Sequence, residues 1–477
     1  MKTDIAVLGG GPGGYSAAFR AADLGAEVVI VEQRDRLGGL CLHEGCIPSK
    51  ALLHVGRGIA RVDELAEWGV RYDTPPSMDV DALRDRKNRC IDALAGGLSN
   101  LARQRKVRVI HARGILEGSG ALRLEGEGLD DDRLDFDTLI LATGSLPMVP
   151  GPLKIDSERL MASKEALALP EIPETLLVIG GAYVGLEMAT TFVRLGSRVR
   201  VVEMLDRLMP GADADLVKPL RQALEPLAEG IMLGTTVESI KKRKDRLAVT
   251  MTHAGDKRTE TYDRVLVAVG HRPSLEGIGL ASTDVQVGDD GFVTVDRQQR
   301  TTDGRIFAVG DIAGPPLLAH KAFKQGLVAA EVIVTGRGGF DARAIPQVVF
   351  TDPELAWVGV TEAQVRDEGL DVDVARYPWA AAGRAQAIGR TNGLTKLMFE
   401  RDTGRLVGAG MVGAECGELI AECALALEAG LRAQDLADTV HQHPTLSETV
   451  ANAAAAWLGE ATEIAPRKRS GSKEGRS

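Results

Sequence analysis

Residues Asp4–Gly14 read Asp-Ile-Ala-Val-Leu-Gly-Gly-Gly-Pro-Gly-Gly. The apolar run is strand-length and ends in a glycine turn, and an alanine-rich helix pattern follows. Gly9, Gly11 and Gly14 have the G-x-G-x-x-G spacing. Glycine there permits a tight turn and lets the backbone approach a pyrophosphate, which the helix N-terminus then stabilises. The next strand pattern, Glu27–Glu32, ends in an acid. A carboxylate at that point, Glu32, can accept hydrogen bonds from ribose hydroxyls. Strand, turn, helix, strand and acid in this order predict a nucleotide-binding βαβ unit.

A second copy follows. Leu176–Gly185 reads Leu-Leu-Val-Ile-Gly-Gly-Ala-Tyr-Val-Gly, and Arg198–Glu203 ends in an acid. Gly180 and Gly185 hold the outer positions, while Ala182 occupies the middle one. Its methyl is expected to crowd a pyrophosphate slightly without erasing the motif. Glu203 suits a free 2′-hydroxyl and repels a 2′-phosphate, so NAD(H) is favoured over NADP(H), although Arg198, Arg200 and Arg207 lie close by.

Between the two copies stands Gly-Gly-Leu-Cys-Leu-His-Glu-Gly-Cys-Ile-Pro-Ser-Lys, residues 38–50. Cys41 and Cys46 are five apart and can close a small ring that opens by thiol–disulfide exchange. Two nucleotide loops and one switchable sulfur pair fit a relay from nicotinamide to flavin to disulfide. A nicotinamide gives up electrons as a pair, which a disulfide cannot easily accept directly, and a flavin bridges the two processes.

The 477 residues suggest roughly three domains. A chain 44% hydrophobic and 26% charged is that of a soluble globular protein, and a net charge of −10 disfavours a general nucleic-acid role. Five scattered cysteines argue against a secreted disulfide scaffold; Cys90, Cys416 and Cys423 read as buried free thiols. The N-terminus enters a strand pattern without a signal peptide's apolar block, and no run reaches a membrane span's length. Neither nucleic acid nor membrane is therefore an expected partner, no metal site is read, and a cytoplasmic location is expected.

The spacing predicts a long Arg-rich helix over 79–105, a strand over Leu139–Ser145 leading out of the first domain through Pro147, Pro150 and Pro152, and a strand over Val265–Gly270. Ile306–Asp311 reads as a strand delivering an acid, so the first domain is expected to be split by the second. Beyond Ile345, strands at Val348–Phe350, Ala356–Gly359, Thr395–Phe399 and Leu406–Met411 and helices at Glu418–Ala429 and Ala433–Val440 predict a separate α+β domain. The expected class is α/β, with two Rossmann-like dinucleotide-binding domains and that C-terminal domain.

With these motifs in place, the chain resembles the pyridine nucleotide–disulfide oxidoreductases, in their dihydrolipoyl dehydrogenase branch, over about residues 3–465. The carrying motifs are the cysteine run at 38–50, Ala-Thr-Gly-Ser at 142–145, Gly-Leu-Glu at 185–187, Val-Gly-Asp-Ile at 309–312, Leu-Ala-His-Lys at 318–321, Phe-Thr-Asp-Pro-Glu at 350–354, Pro-Trp-Ala-Ala at 378–381 and His-Gln-His-Pro-Thr-Leu-Ser-Glu at 441–448. The resemblance implies an FAD enzyme and a homodimer. It implies an FAD domain over 1–147, an NAD domain over 148–272, a central FAD-binding continuation over 273–344 and an interface domain over 345–465. A basic tail over 466–477 is expected to be disordered.

The same resemblance assigns residues. Cys46 is the sulfur nearest the flavin and Cys41 the one that exchanges with substrate. Lys50 and Glu187 form an ion pair near the flavin ring. Asp311 binds the FAD ribitol, in a site that also draws on Ala142, Thr143, Gly144, Ser145, Gly310, Leu318, Ala319 and His320. Tyr183 and Gly270 belong to the nucleotide sites. His443 and Glu448 are the acid–base pair, reaching the disulfide from the other subunit. Their chemistry makes sense unaided, since oxidising a dithiol removes two protons and a His can take one near neutral pH. His441 reads as structural. The implied reaction is oxidation of a dihydrolipoyl dithiol on a lipoylated carrier protein, with NAD+ as acceptor.

Two positions depart from the family's pattern. His43-Glu44 stands where the commoner run has Asn-Val. The pair either alters the reduction potential or loop shape, or is a solvent-facing variation. Tyr183 stands where many dihydrolipoyl dehydrogenases carry an aliphatic residue. It is either a lid over the nicotinamide pocket or simple packing at a helix start. Rival functions are a reductase of another disulfide such as glutathione, a mercuric reductase, and an assembly flavoprotein of a lipoate-dependent complex. Glu203 argues against the first, the absence of a vicinal C-terminal cysteine pair against the second, and the complete set of Cys41, Cys46, Lys50, His443 and Glu448 against the third.

Overall fold

The computed structural model describes residues 1–74 and 76–465. The basic tail expected over 466–477 lies outside them. The chain divides into two compact units.

The first unit comprises Met1–Glu174, Glu238–Thr250 and Thr259–Asp341. Its main sheet runs Arg108–His111, Val28–Glu32, Lys2–Leu8, Arg133–Leu141, Ala121–Glu125, Arg113–Leu116. Lys2–Leu8 pairs in parallel with Val28–Glu32 on one side and Arg133–Leu141 on the other. All five residues of Val28–Glu32 are buried, the first four as the apolar run of a parallel strand. Ile306–Ala308 also joins this sheet in parallel, Phe307 opposite Ile140, so the chain returns late to the sheet it began. The helix Pro12–Asp23 packs on Ala319–Thr335 so closely that a Cβ on Gly326 would lie 2.3 Å from the Gly13 carbonyl oxygen. The Arg-rich segment is a helix, Val80–Gln104, whose Asp79 cap accepts from the Ala82 amide at 3.0 Å.

The second unit comprises Thr175–Val237, Met251–Arg258 and the described residues from Ala342. Thr175–Ile179, Arg198–Val202 and Gly230–Met232 pair in parallel, with the helix Tyr183–Arg194 beside them. A separate antiparallel sheet runs Gln347–Val349, Glu354–Gly359, Leu406–Gly413, Leu394–Glu400, Val372–Pro378. The helices Cys416–Ala429 and Glu448–Leu458 pack on it. Its core holds Trp379, which is fully buried; a Cβ on Gly413 would lie 2.2 Å from that ring and one on Gly393 2.5 Å, so these glycines are required by packing. The indole N–H donates to Thr395 Oγ1 at 2.9 Å. Among the described residues, no helix is long and apolar enough to cross a membrane.

Candidate active site

The two glycine loops share one construction. Glu32 Oε2 accepts from the Gly10 amide at 2.7 Å and Oε1 from the Arg34 amide at 2.9 Å. In the second unit Glu203 Oε2 accepts from the Gly181 amide at 2.6 Å and Oε1 from the Leu205 amide at 2.8 Å. Each strand-end acid therefore fixes its own loop. A Cβ on Gly14 would lie 1.9 Å from the Gly9 carbonyl oxygen, and one on Gly185 the same distance from that of Gly180. The outer glycines thus bring helix and strand into contact. Gly11 differs, since a Cβ there would meet nothing nearer than Gly39 Cα at 3.6 Å. What a side chain at Gly11 would fill is the cradle in front of the helix, where a pyrophosphate fits. The helices begin at N-caps Gly11 and Ala182 without a side-chain cap, and a helix N-terminus is where an anion is favoured. The residues present thus fit a dinucleotide at each loop. Arg198 and Arg200 each lie near Glu229, at 3.1 and 3.9 Å.

The sulfur segment is built onto the first loop. The Gly38 amide donates to the Gly10 carbonyl at 2.8 Å. Gly39 has φ of +60°, and a Cβ on it would lie 2.6 Å from Gly11 Cα. Only glycine can bring the two backbones this close. Cys41 sits on the short helix Gly39–Glu44, and Cys46 is the first residue of the 22-residue helix Cys46–Glu67. Their sulfurs are 2.6 Å apart and both side chains are partly buried. The hydrogen bond with Cys46, burial and the charge of Cys46 push the Cys41 thiol far up, with Lys50 opposing. Cys46 stands at the positive end of a long helix dipole, which favours a thiolate there. Lys50 lies one turn further along the same helix.

Tyr15 was not singled out by the sequence. It packs against Phe19 and Phe323, and burial, followed by the neighbouring Cys41 and Cys46, pushes its hydroxyl up to about 12. Its signal was its place in the first helical turn after Gly14. His43 and Glu44 are both partly buried and partnered. His43 Nε2 lies 2.9 Å from the Leu37 carbonyl, and Glu44 takes Arg34 at 3.0 Å and Lys164 at 3.2 Å.

Asp311 lies on the turn Gly310–Ala313 that follows Ile306–Ala308. Ser145 Oγ donates to Asp311 Oδ2 at 2.5 Å, and Gly310 N donates to Gln325 Oε1 at 3.0 Å. Lys321 is buried and donates to the Gly314 carbonyl; burial lowers its pKa to about 8, with Asp311 opposing. Thr143 Oγ1 donates to the Ser274 carbonyl at 2.7 Å. Ala142 is buried, Gly144 has φ of +72° and Gly270 φ of +125°. Leu318 caps the helix Ala319–Thr335, and His320 lies exposed in its first turn.

In the second unit, Glu187 is 4% exposed, and its Oε1 accepts from the Phe350 amide at 3.0 Å. Lys50 belongs to the first unit and Glu187 to the second. Tyr183, the first residue of its helix, is 39% exposed. Glu448 begins the helix Glu448–Leu458. His443 Nδ1 lies 2.8 Å from Glu448 Oε1, and the Thr445 amide donates to Oε2 at 2.7 Å. The His443 side chain is 76% exposed. Burial would raise the Glu448 carboxyl, but the Thr445 amide and His443 outweigh it and hold it below the usual range. His441 bonds the Thr439 carbonyl at 2.9 Å and Glu422 at 2.8 Å, a structural pairing.

Three carboxylates, Asp213, Asp215 and Glu362, converge within 4.8 Å of one another, as metal ligands do. Lys396 Nζ stands among them, 2.6 Å from each Asp and 2.8 Å from Glu362, so an ammonium takes the central place.

The chain is similar to known proteins along nearly its whole length. The family model described as pyridine nucleotide-disulphide oxidoreductase matches residues 3–326, and the same family's dimerisation domain matches 345–454. A dihydrolipoyl dehydrogenase of Vibrio parahaemolyticus is 43% identical over 469 residues, covering 98% of both chains. One of Halobacterium salinarum is 39% identical over 469 residues, covering 98% of both. Among solved structures, LpdA from Mycobacterium tuberculosis matches with a TM-score of 0.87 at 27% identity, covering 95% of this chain and 99% of that one. The Cu(II) complex of the HOCl-induced flavoprotein disulfide reductase RclA from Escherichia coli matches at 0.85 and 26%, covering 95% and 99%.

Proposed function

Because the chain belongs to the pyridine nucleotide–disulphide oxidoreductases, we propose that it is a dihydrolipoyl dehydrogenase, oxidising the dithiol of a lipoylated carrier protein with NAD+ as acceptor. It is an oxidoreductase, and the family's cofactors are FAD and NAD. The observation that carries the reading is the sulfur pair, 2.6 Å apart, on a segment bonded to the first phosphate loop.

Bound FAD supplies the two-electron carrier between the sulfurs and NAD+. The chain's own residues do the rest. A substrate thiolate attacks Cys41 Sγ of the Cys41–Cys46 disulfide, and Cys46 leaves as a thiolate favoured by its helix N-terminus and by Lys50. His443 takes the proton of the second substrate thiol at Nε2, because Nδ1–H is committed to Glu448. That second sulfur attacks the mixed disulfide and releases Cys41. The substrate leaves as a disulfide, and the enzyme holds the two electrons.

The dimerisation-domain match supports a homodimer in which the His443–Glu448 pair of one subunit serves the sulfur pair of the other. Asp311, with Ser145, and the Gly9–Gly14 loop hold FAD. The Gly180–Gly185 loop, with Glu203, holds NAD. Cytoplasmic thiol chemistry fits the remaining cysteines, which a reducing compartment keeps free. Following NADH formation with dihydrolipoamide, then repeating with NADPH and glutathione disulfide, tests the proposal. Turnover only in the second assay would move the chain to the rival reductase reading.

A further inference from the structure

We infer that Glu44, together with His43, is a positioning residue of the sulfur pair: the two clamp the short helix carrying Cys41 and thereby set how far the Cys41–Cys46 disulfide is favoured over the dithiol. The inference rests on the proposal that this pair cycles.

Gly39–Glu44 has six residues, too few to hold itself as a helix without tertiary contacts. Its N-terminal side is fixed through Gly38 and Gly39 against the phosphate loop. Its last residue, Glu44, is fixed by two cations, Arg34 at 3.0 Å and Lys164 at 3.2 Å, and its side chain is only 19% exposed. Arg34 is itself held, since its amide donates to Glu32 Oε1 at 2.9 Å and its carbonyl is bonded by His111 Nδ1 at 2.7 Å. A continuous polar chain therefore runs Gly10, Glu32, Arg34, Glu44, from the phosphate loop to the residue three positions after Cys41. His43 closes the other side. Burial holds its ring below the ordinary imidazole range, so at neutral pH Nε2–H is a neutral donor to the Leu37 carbonyl at 2.9 Å. Leu37 is buried, so this anchor is a fixed one.

A disulfide is favoured in proportion to the effective concentration of its two thiols, which falls as their mutual geometry loosens. An isolated surface ion pair would matter little. Here one shielded carboxylate joins two cations across three segments. Releasing Glu44 gives the Cys41 end more freedom, lowers that effective concentration and shifts the equilibrium toward the dithiol.

The test equilibrates the full-length, FAD-loaded enzyme with defined ratios of reduced and oxidised lipoamide, traps free thiols by alkylation and counts them by mass. Glu44→Val is expected to move the constant toward dithiol roughly tenfold, about 30 mV for this two-electron couple. Glu44→Gln, which keeps an acceptor for Arg34, shifts it less. Lys164→Ala shifts it in the same direction, and the double variant Glu44→Val/Lys164→Ala adds nothing to Glu44→Val. A constant indistinguishable from wild type in Glu44→Val overturns the inference. Should that variant not fold, Lys164→Ala decides, because the Lys164 side chain is 62% exposed and removing it leaves the core intact; no shift there overturns the inference equally. A wild-type thiol couple that Cys41→Ser abolishes separates the two claims: with it present and the clamp variants unmoved, only the clamp fails; with it absent, the cycling pair fails and the clamp with it.

Discussion

Glu448 accepts the Nδ1–H of His443 at 2.8 Å through one oxygen and the Thr445 amide at 2.7 Å through the other, so both ends of the carboxylate are committed. The pairing fixes which ring nitrogen is left to act as a base, and it follows from local chain geometry. Glu448 opens a helix, and the turn before it folds His443 back onto that helix's first residue.

Replacing His443 by Gln should lower kcat about 10²- to 10⁴-fold, the usual contribution of a general base. Glu448→Gln should cost less, because an acceptor remains while the charge is lost. Steady-state NADH formation with dihydrolipoamide measures both. The folded Glu448 carboxyl lies below its ordinary value, so its stabilising contacts are fully present above the unfolded carboxyl pKa of 4.5. They are lost as pH falls through the depressed folded value, and the orientation of His443 should be lost in that same acid window.

The outer glycines should separate the two nucleotide sites. Gly14→Ala puts a methyl 1.9 Å from the Gly9 carbonyl oxygen, and Gly185→Ala does the same at Gly180. The first variant should purify with little FAD. The second should keep FAD, with its colour, and bind NADH at least about tenfold more weakly, a loss of roughly 1.4 kcal/mol. Ala182→Gly should tighten NADH binding a little. Absorbance of the purified protein and NADH titration check all three.

Much of this was legible in the chain itself. Strand, glycine turn and acid at Asp4–Glu32 announced the first loop, because short-range pattern and chemistry coincide there. The helices Cys416–Ala429 and Val80–Gln104 were likewise readable from periodicity. Other features were not legible because they depend on contacts distant in sequence. The strand Val372–Pro378 and the helix Glu448–Leu458 gain their identity from packing in the Trp379 core. The strand-end acids suggest ribose ligands from sequence, and only the folded loops reveal that Glu32 and Glu203 brace the Gly10 and Gly181 amides. The Lys321 and Gln325 supports of the Asp311 turn, and the Phe350 amide on Glu187, carry no sequence pattern.

Lys396 should be a stability residue. It is fully buried among Asp213, Asp215 and Glu362, with Arg376 also bonded to Asp215 and Glu362. Lys396→Met leaves those acids short of a cation and should destabilise by about 3–5 kcal/mol, read as a fall in the denaturant midpoint. Burial raises the Asp215 carboxyl, but Lys396 and Arg376 outweigh it and hold it below its ordinary value of 3.8. Its contribution is therefore present above that value and lost in more acid solution. Magnesium or calcium should not raise the wild-type midpoint.

The central claim is that a sulfur–sulfur bond and a flavin share electrons in this chain. Anaerobic titration with dithionite, followed by flavin absorbance and thiol counting, tests it most directly. The account predicts about four electrons per subunit for full reduction and about two in Cys41→Ser, since a disulfide and a flavin each take a pair. Uptake of only two electrons by the wild-type protein, with Cys41 and Cys46 titrating as free thiols throughout, would contradict it.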